Sequence, residues 1–233
     1  MNRWFVALIL PAVVWWNFGF GQAEPETGSE RLPALVCRYL DSPDSDEAVR
    51  LLQAVRHHPD ASIERVIRII ETERSYDSRP IGTLPDERVR VQGQSYGLAL
   101  SVPLTYQPSR GYALIVCLHG AGFTGDVYLE RWQARLGEDY ILGCPTYPAG
   151  AWFTRRAEDL VLATNRYVRQ RYHLDPDRIF LTGMSNGGIG AWLIGMHHAP
   201  LFAGLAPMAS GLDDVLMPFL ANLRNTPVYI IHG

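Results

Sequence analysis

The stretch that decides the fold is residues 178–190, RIFLTGMSNGGIG. It opens on a short apolar run, residues 179–182, and closes on a glycine-rich apolar segment. Between the two lies Gly183-Met184-Ser185-Asn186-Gly187, which is a G-x-S-x-G pattern. This order predicts a short strand, a sharp turn centred on Ser185, and a helix that begins at Asn186.

The two glycines of the pattern suit such a turn. A serine there adopts a strained backbone conformation and presents its hydroxyl above the edge of the sheet, an arrangement called a nucleophile elbow. The backbone passes close by on both sides, so Gly183 and Gly187 leave the room that a side chain would fill, and Gly188 relieves the packing of the helix. The alternative is a glycine-rich turn around an ordinary serine, because the bare pattern often arises by chance.

The composition indicates one α/β domain with a small addition. The chain has 233 residues, 47% of them hydrophobic, which is enough to bury a sizeable core. Its net charge of −3 gives no basic footprint for nucleic acid. Of the three cysteines, Cys117 and Cys144 lie in apolar runs, which is typical of small buried residues and not of a disulfide framework, and the state of Cys37 stays open.

The amino terminus resembles a secretory signal. Residues 1–23 combine an early arginine, an apolar run and the small residues Gly21 and Ala23 before a polar segment. We expect cleavage near Ala23 and a secreted or periplasmic protein without a stable membrane span. Retention as an uncleaved membrane anchor is the alternative.

A helical segment, residues 24–79, follows the signal. Apolar residues repeat at helical spacing over residues 48–55 and 63–70, with Asp60 or Ser62 as the cap of the second helix, and a shorter helix covers residues 34–40. The pair His57-His58 is typical of a solvated helix end rather than a metal site. Residues 80–87 are predicted to be a linker.

Residues 88–233 alternate between strand and helix patterns. A β-hairpin is predicted around Gly93, followed by a fully apolar strand at residues 113–118 that ends in His119-Gly120-Ala121-Gly122. Further strands at residues 140–144, 179–182, 205–209 and 228–231 alternate with helices at 129–136, 158–172, 186–197 and 216–223, and residues 175–177 form a turn. This alternation predicts an α/β fold with a mostly parallel sheet and helices on both faces.

The chemistry of a serine nucleophile requires an oxyanion hole. The elbow supplies one donor from the backbone N–H of Asn186, directly after the serine. The second donor is expected in the turn after residue 118, where Ala121 is the first choice and Gly122 the alternative. The glycines of that turn would let a substrate approach the backbone, or would simply form a tight turn.

These motifs together resemble a known family. LIVCLHGAG, LDPDRIFLTGMSNGG, LFAGLAPMASG and PVYIIHG occur in that order over more than half of the chain. They resemble secreted α/β-hydrolases of the carboxylesterase/phospholipase and feruloyl-esterase/polyhydroxybutyrate-depolymerase group. The resemblance implies that Ser185 is the nucleophile and that Ala121 and Asn186 form the oxyanion hole.

The same resemblance places the acid and the base histidine beyond Gly233, since these enzymes follow the chain order Ser, Asp, His. We therefore expect this chain to be a fragment with little or no activity. Within the chain, Asp213 and Asp214 are more typical of a helix cap than of the acid. His119 and His232 match structural positions of the family, and His197-His198 stabilise a helix end.

The substrate is expected to be a small-molecule or polymer ester. Tyr147, Trp152 and Phe153 would line its pocket or simply pack within a loop. The sequence implies no cofactor and no metal, and it indicates no oligomeric state. Two other functions stay open, a serine peptidase of related fold and a non-catalytic secreted protein that uses the scaffold for binding.

Overall fold

The computed structural model of the chain describes residues 30–42, 45–70, 76, 79–137 and 139–232. The predicted signal peptide, residues 1–23, lies outside these ranges and stays a prediction. Within them, no helix combines the length and apolar character that a membrane span needs. The chain divides into two compact units, Met1–Arg74 and Ser75–Gly233.

The first unit contains the helices predicted for it. They are α1 (Leu32–Asp41), α2 (Ser45–His57) and α3 (Ile63–Arg68). Ser62 caps α3, because its hydroxyl accepts a hydrogen bond of 3.1 Å from the backbone N–H of Arg65. The apolar residues of this unit bury one another in a cluster of Leu32, Leu35, Val36, Leu51, Val55 and Ile69.

The second unit is built on a six-stranded sheet in the order β1-β2-β4-β3-β5-β6. The three pairs formed by β3, β4, β5 and β6 are parallel, and the two pairs that involve β2 are antiparallel. The predicted α/β fold with a mostly parallel sheet is therefore confirmed. The strands are β1 (Gly82–Val91), β2 (Gln94–Val102), β3 (Tyr112–Leu118), β4 (Tyr140–Pro145), β5 (Leu174–Met184) and β6 (Gly204–Met208).

Helices cover both faces of this sheet. They are α4 (Gly125–Leu136), α5 (Arg155–Arg171) and α6 (Asn186–His197). Alternate residues of β3 belong to two different apolar clusters, one shared with α5 and α6 and the other with α4. All seven residues of β3 are buried as a result, which explains its continuous apolar sequence.

The predicted linker at residues 80–87 is wrong from Gly82 onward, because β1 begins there. Pro85 lies inside β1, which is the edge strand of the sheet, where a missing backbone N–H is tolerated. The strand also adapts to the proline, since its register with β2 shifts between Leu84 and Glu87. The hairpin predicted around Gly93 is confirmed.

Three other elements differ from their predictions. The helix expected at residues 216–223 is a 3-10 helix, Asp214–Leu223, with Pro218 inside it, and a proline removes a donor from an α-helical ladder. The strand expected at 228–231 pairs with β6 only at two isolated bridges. The turn expected at 175–177 lies within β5, where the register with β3 is irregular.

Candidate active site

The two glycine-rich turns of the sequence meet at one edge of the sheet. β3 and β5 are parallel neighbours, and their register pairs Leu118 with Gly183. The turn after β3 and the turn after β5 therefore begin side by side at the carboxyl ends of their strands. This edge is where open α/β sheets bind their ligands.

Ser185 has the backbone conformation predicted for an elbow. Its φ is 55° and its ψ is −120°, a conformation that is strained for a residue with a side chain. Its N–H donates to the carbonyl of Met208 over 3.0 Å, and its carbonyl accepts from the N–H of Ile189 over 3.0 Å. The side chain is exposed and makes no helix-cap hydrogen bond, so the hydroxyl is available to a substrate.

The glycines around Ser185 are required by close backbone contacts. A Cβ on Gly183 would lie 2.3 Å from the carbonyl oxygen of Gly187, and a Cβ on Gly187 would lie 2.1 Å from that of Leu118. A Cβ on Gly188 would meet the hydroxyl of Ser210 at 2.4 Å. The predicted need for glycine at these three positions is confirmed.

The turn after β3 brings a second backbone donor to Ser185. Phe123 N–H donates to the carbonyl of Gly120 over 3.3 Å and Gly122 has a φ of +76°, which is a type II turn. A Cβ on Gly120 would lie 3.7 Å from the Cβ of Ser185, so the turn passes beside the serine. In the described part of the chain, the backbone N–H groups of Ala121 and Asn186 donate to no recorded acceptor.

Gly150 packs against the peptide between Gly120 and Ala121 in this turn. Its backbone has a φ of +62°, and a Cβ there would lie 3.0 Å from the oxygen, 3.1 Å from the carbon and 3.2 Å from the nitrogen of the Gly120–Ala121 peptide. Such similar distances place Gly150 over the face of the peptide plane. The N–H of Ala121 lies within that plane, so this contact positions the donor without covering it.

His119 is a structural residue beneath the turn. It is fully buried, its Nδ1 lies 2.9 Å from the carbonyl oxygen of Gly120, and its Nε2 accepts from the N–H of Tyr147 over 3.0 Å. Since Nε2 accepts, the proton is on Nδ1, which donates to Gly120. Burial lowers the pKa of His119, which favours the neutral ring, and the two hydrogen bonds engage both nitrogens. It therefore has no free nitrogen to act as the base.

Of the three residues predicted either to line a substrate pocket or to pack within a loop, Trp152 packs. It is fully buried, its indole N–H donates to the carbonyl of His119 over 2.7 Å, and its Cβ packs against Gly190. Its aromatic surface therefore supports the turn from inside. Tyr147 is half-buried, with its hydroxyl accepting a hydrogen bond of 3.0 Å from Thr154, and Phe153 is exposed. Pocket lining by these two stays a prediction.

Asp213, one of the two aspartates considered as the acid, has another role. The carboxylate of Asp213 accepts a hydrogen bond of 3.1 Å from Val215 N–H and so caps the following 3-10 helix. His232 is exposed, just beyond the bridge that joins its segment to β6. No described histidine or carboxylate forms a recorded hydrogen bond with the hydroxyl of Ser185.

Two side chains near the helices escaped the sequence analysis. The hydroxyl of Tyr128 is buried and has no hydrogen-bond partner among the described residues. It lies 3.3 Å from the position that a Cβ on Gly120 would take.

Glu158, in the first turn of α5, contacts both His197 and His198. Burial raises the pKa of Glu158, but hydrogen bonds from the two histidines outweigh it and leave the pKa below its usual value. Neither side chain belongs to a local motif, so only the fold reveals them.

Comparison with solved structures identifies the architecture. The chain is similar to a thermostable esterase, with 25% identity and a TM-score of 0.53 over 64% of this chain and 45% of that one. This is an α/β-hydrolase fold. A second similar structure is S-formylglutathione hydrolase of Staphylococcus aureus, with 18% identity and a TM-score of 0.47 over 61% of this chain and 65% of that one. A third is a ferulic acid esterase, with 14% identity and a TM-score of 0.49 over 66% of this chain and 91% of that one.

The predicted resemblance to the esterases of this fold is confirmed. The chain spans less than two thirds of the thermostable esterase and of the S-formylglutathione hydrolase. No protein-family model and no curated protein matches the sequence. The α/β-hydrolase assignment therefore rests on the tertiary structure, and the activity has to be argued from the residues of the site.

Proposed function

We propose that this α/β-hydrolase cleaves carboxylic esters through an acyl-enzyme on Ser185. The observation that carries the proposal is the conformation of Ser185, strained and exposed at the carboxyl edge of the sheet. Strained backbone persists where the surrounding structure enforces it, and it concentrates at reactive sites. An ordinary turn serine would not require three neighbouring glycines with backbone contacts this close.

The backbone N–H groups of Ala121 and Asn186 stabilise the oxyanion in this proposal. When the serine oxygen attacks an ester, the carbonyl oxygen becomes negative, and preorganised donors stabilise it most effectively. Both N–H groups lack a recorded acceptor among the described residues, and both adjoin Ser185. Asn186 also begins α6, whose amino-terminal end favours negative charge.

The base and the acid of the mechanism come from outside these 233 residues in our proposal. His119 has both nitrogens engaged, and His197 and His198 lie at the far end of α6. The coverage of under half of the thermostable esterase is consistent with this view. We expect the chain alone to retain only the weak catalysis that an oxyanion hole provides without a base.

The proposal also includes a substrate class and a cellular location. Tyr147 and Phe153 offer aromatic surface on the loop that carries Gly150, which would suit an ester with an aromatic or apolar group. The signal pattern of residues 1–23 supports secretion or export to a periplasm. A mature protein that still begins at Met1 would contradict the cleavage near Ala23.

The central test is acylation of the full 233-residue chain by p-nitrophenyl acetate. The Ser185 oxygen bonds to the acetyl carbon, p-nitrophenolate leaves, and the serine proton passes to solvent. Mass spectrometry should find one slow acetyl addition on Ser185, and none in Ser185→Ala. Absence of acetyl on Ser185 would favour the non-catalytic binding protein.

Two further measurements examine the donors and the missing base. Ala121→Pro removes one N–H at a turn position that accepts proline, so acylation should slow by about 10²- to 10³-fold while the melting temperature hardly changes.

The pH dependence tests the missing base. Without a histidine base, the rate of acylation should rise about tenfold for each pH unit through neutrality, because the hydroxide concentration rises by the same factor. A plateau with an apparent pKa near that of histidine would show that the chain contains its own base.

A further inference from the structure

A cluster of three side chains lies at the end of α6 that is remote from Ser185. It consists of Glu158 from the first turn of α5 and of His197 and His198, which end α6. The twelve residues of α6 separate it from the nucleophile by about 18 Å at 1.5 Å per residue. The cluster therefore has no part in the proposed ester chemistry.

The three side chains converge on one carboxylate oxygen. Glu158 Oε1 lies 3.0 Å from Nδ1 of His197 and 2.7 Å from Nε2 of His198. Each residue offers one ligand atom, and the three atoms all lie within 4.8 Å of one another. Among the described residues, no other set of histidine, cysteine and carboxylate groups has this convergence.

The spacing is close to that of a metal's ligands. Zinc bonds to nitrogen and oxygen at about 2.0–2.2 Å, so two ligands of a tetrahedral ion are separated by about 3.3 Å. The two measured separations are a few tenths of an ångström shorter, as expected for hydrogen bonds in the same place. A small rotation of His197, whose side chain is 58% exposed, would open the cluster enough to admit an ion.

The surroundings favour a cation with a preference for nitrogen ligands. Glu158 contributes a negative charge, and its side chain is only 14% exposed, which holds it in place. The carboxyl-terminal end of α6 adds partial negative charge at the histidines. Two imidazoles and one carboxylate suit zinc and its transition-metal neighbours, whereas calcium and magnesium prefer ligand sets made of oxygen.

We propose that Glu158, His197 and His198 form a binding site for a transition-metal ion such as Zn²⁺. The ion would take one ligand atom from each residue, with water completing a tetrahedral shell. It would join the beginning of α5 to the end of α6, two helices that share one face of the sheet. The sequence argued against a metal, because Glu158 lies far along the chain from the two histidines.

Binding is tested by titrating Zn²⁺ into the metal-free full-length chain by isothermal calorimetry. We expect one site per chain and a higher melting temperature in its presence. Glu158→Gln, His197→Gln and His198→Gln should each weaken binding at least about tenfold, since even outer-shell partners contribute that much. Cobalt added in place of zinc should give the visible absorption of a low-coordinate ion.

The chain contains its own matched control. His57 and His58 are also consecutive and also end a helix, but their recorded hydrogen bonds go to backbone groups instead of a glutamate. The double variant His57→Gln/His58→Gln should therefore bind zinc as the unaltered chain does, and so should Ser185→Ala. Unchanged affinity in His197→Gln and Glu158→Gln, or no binding at all, would show that the cluster is only an ion pair.

Discussion

The turn that carries Ser185 and the turn that carries Ala121 are both glycine-rich, yet different forces hold them. In the turn after β5, glycine is required by space, because a Cβ on Gly187 would lie 2.1 Å from a backbone oxygen. In the turn after β3, a Cβ on Gly122 would meet nothing within 4 Å, and glycine is required by its φ of +76°. The glycines beside the nucleophile are thus required by packing, whereas Gly122 of the oxyanion turn is required by backbone conformation, and Gly150 packs on one face of the same turn.

This difference fits the work proposed for each turn. The serine must be held at one point above the sheet, and close packing from Leu118, Gly183 and Gly187 prevents it from shifting. The turn after β3 must leave room for a substrate's carbonyl. Gly150 packs over one face of the Gly120–Ala121 peptide, while the space beside Gly122 stays open. A type II turn fixes the donor next to that space.

The largest effect should come from Gly187→Ala. The obstacle is the backbone of β3, which cannot move without disturbing the sheet, so we expect a loss of about 3 kcal/mol in the free energy of unfolding. Gly195→Ala in the same helix is the control, since its nearest obstacle, at 2.3 Å, is the Cδ1 atom of the Leu205 side chain and not a backbone atom. Urea denaturation would compare the two. An equal loss would mean that the elbow is no more rigid than the rest of α6.

A smaller effect is expected for Gly122→Ala. The new side chain has room, but a positive φ costs a residue with a Cβ about 1–2 kcal/mol. Gly93→Ala in the β1–β2 hairpin is matched to it, with a φ of +80° and nothing within 4 Å. Both variants should lose similar stability in urea, but only Gly122→Ala should slow the acetylation of Ser185. If Gly122→Ala and Gly93→Ala were acetylated at equal rates, the turn after β3 would not be part of the active site.

The smallest effect is the release of strain at Ser185. Glycine adopts the φ of 55° more readily than alanine, so Ser185→Gly should be more stable than Ser185→Ala by about 1 kcal/mol, after the entropy of the unfolded glycine is subtracted. Thermal or urea unfolding of the two inactive variants measures this difference directly. If Ser185→Ala proved the more stable, the elbow would not be strained.

Much of the site was predictable because its requirements are local. Gly183, Ser185 and Gly187 lie within five consecutive residues, so the same short segment specifies both the turn and the room around it. The apolar run of β3 likewise predicted a strand buried on both faces. The role of Trp152 stayed open between pocket lining and packing, since nothing near it in the sequence shows that its indole donates to the carbonyl of His119.

Local spacing in the sequence specifies the alternation of strands and helices, the elbow and the turn after β3, since each depends on a few neighbouring residues. The pairing of Leu118 with Gly183, which sets the two turns side by side, arises from the register of β3 and β5 in the folded sheet. The tertiary structure also decides that His119 is enclosed and that Glu158 meets His197 and His198. These contacts join segments distant along the chain, and their partners are chosen by strand register and helix packing, which no local pattern encodes.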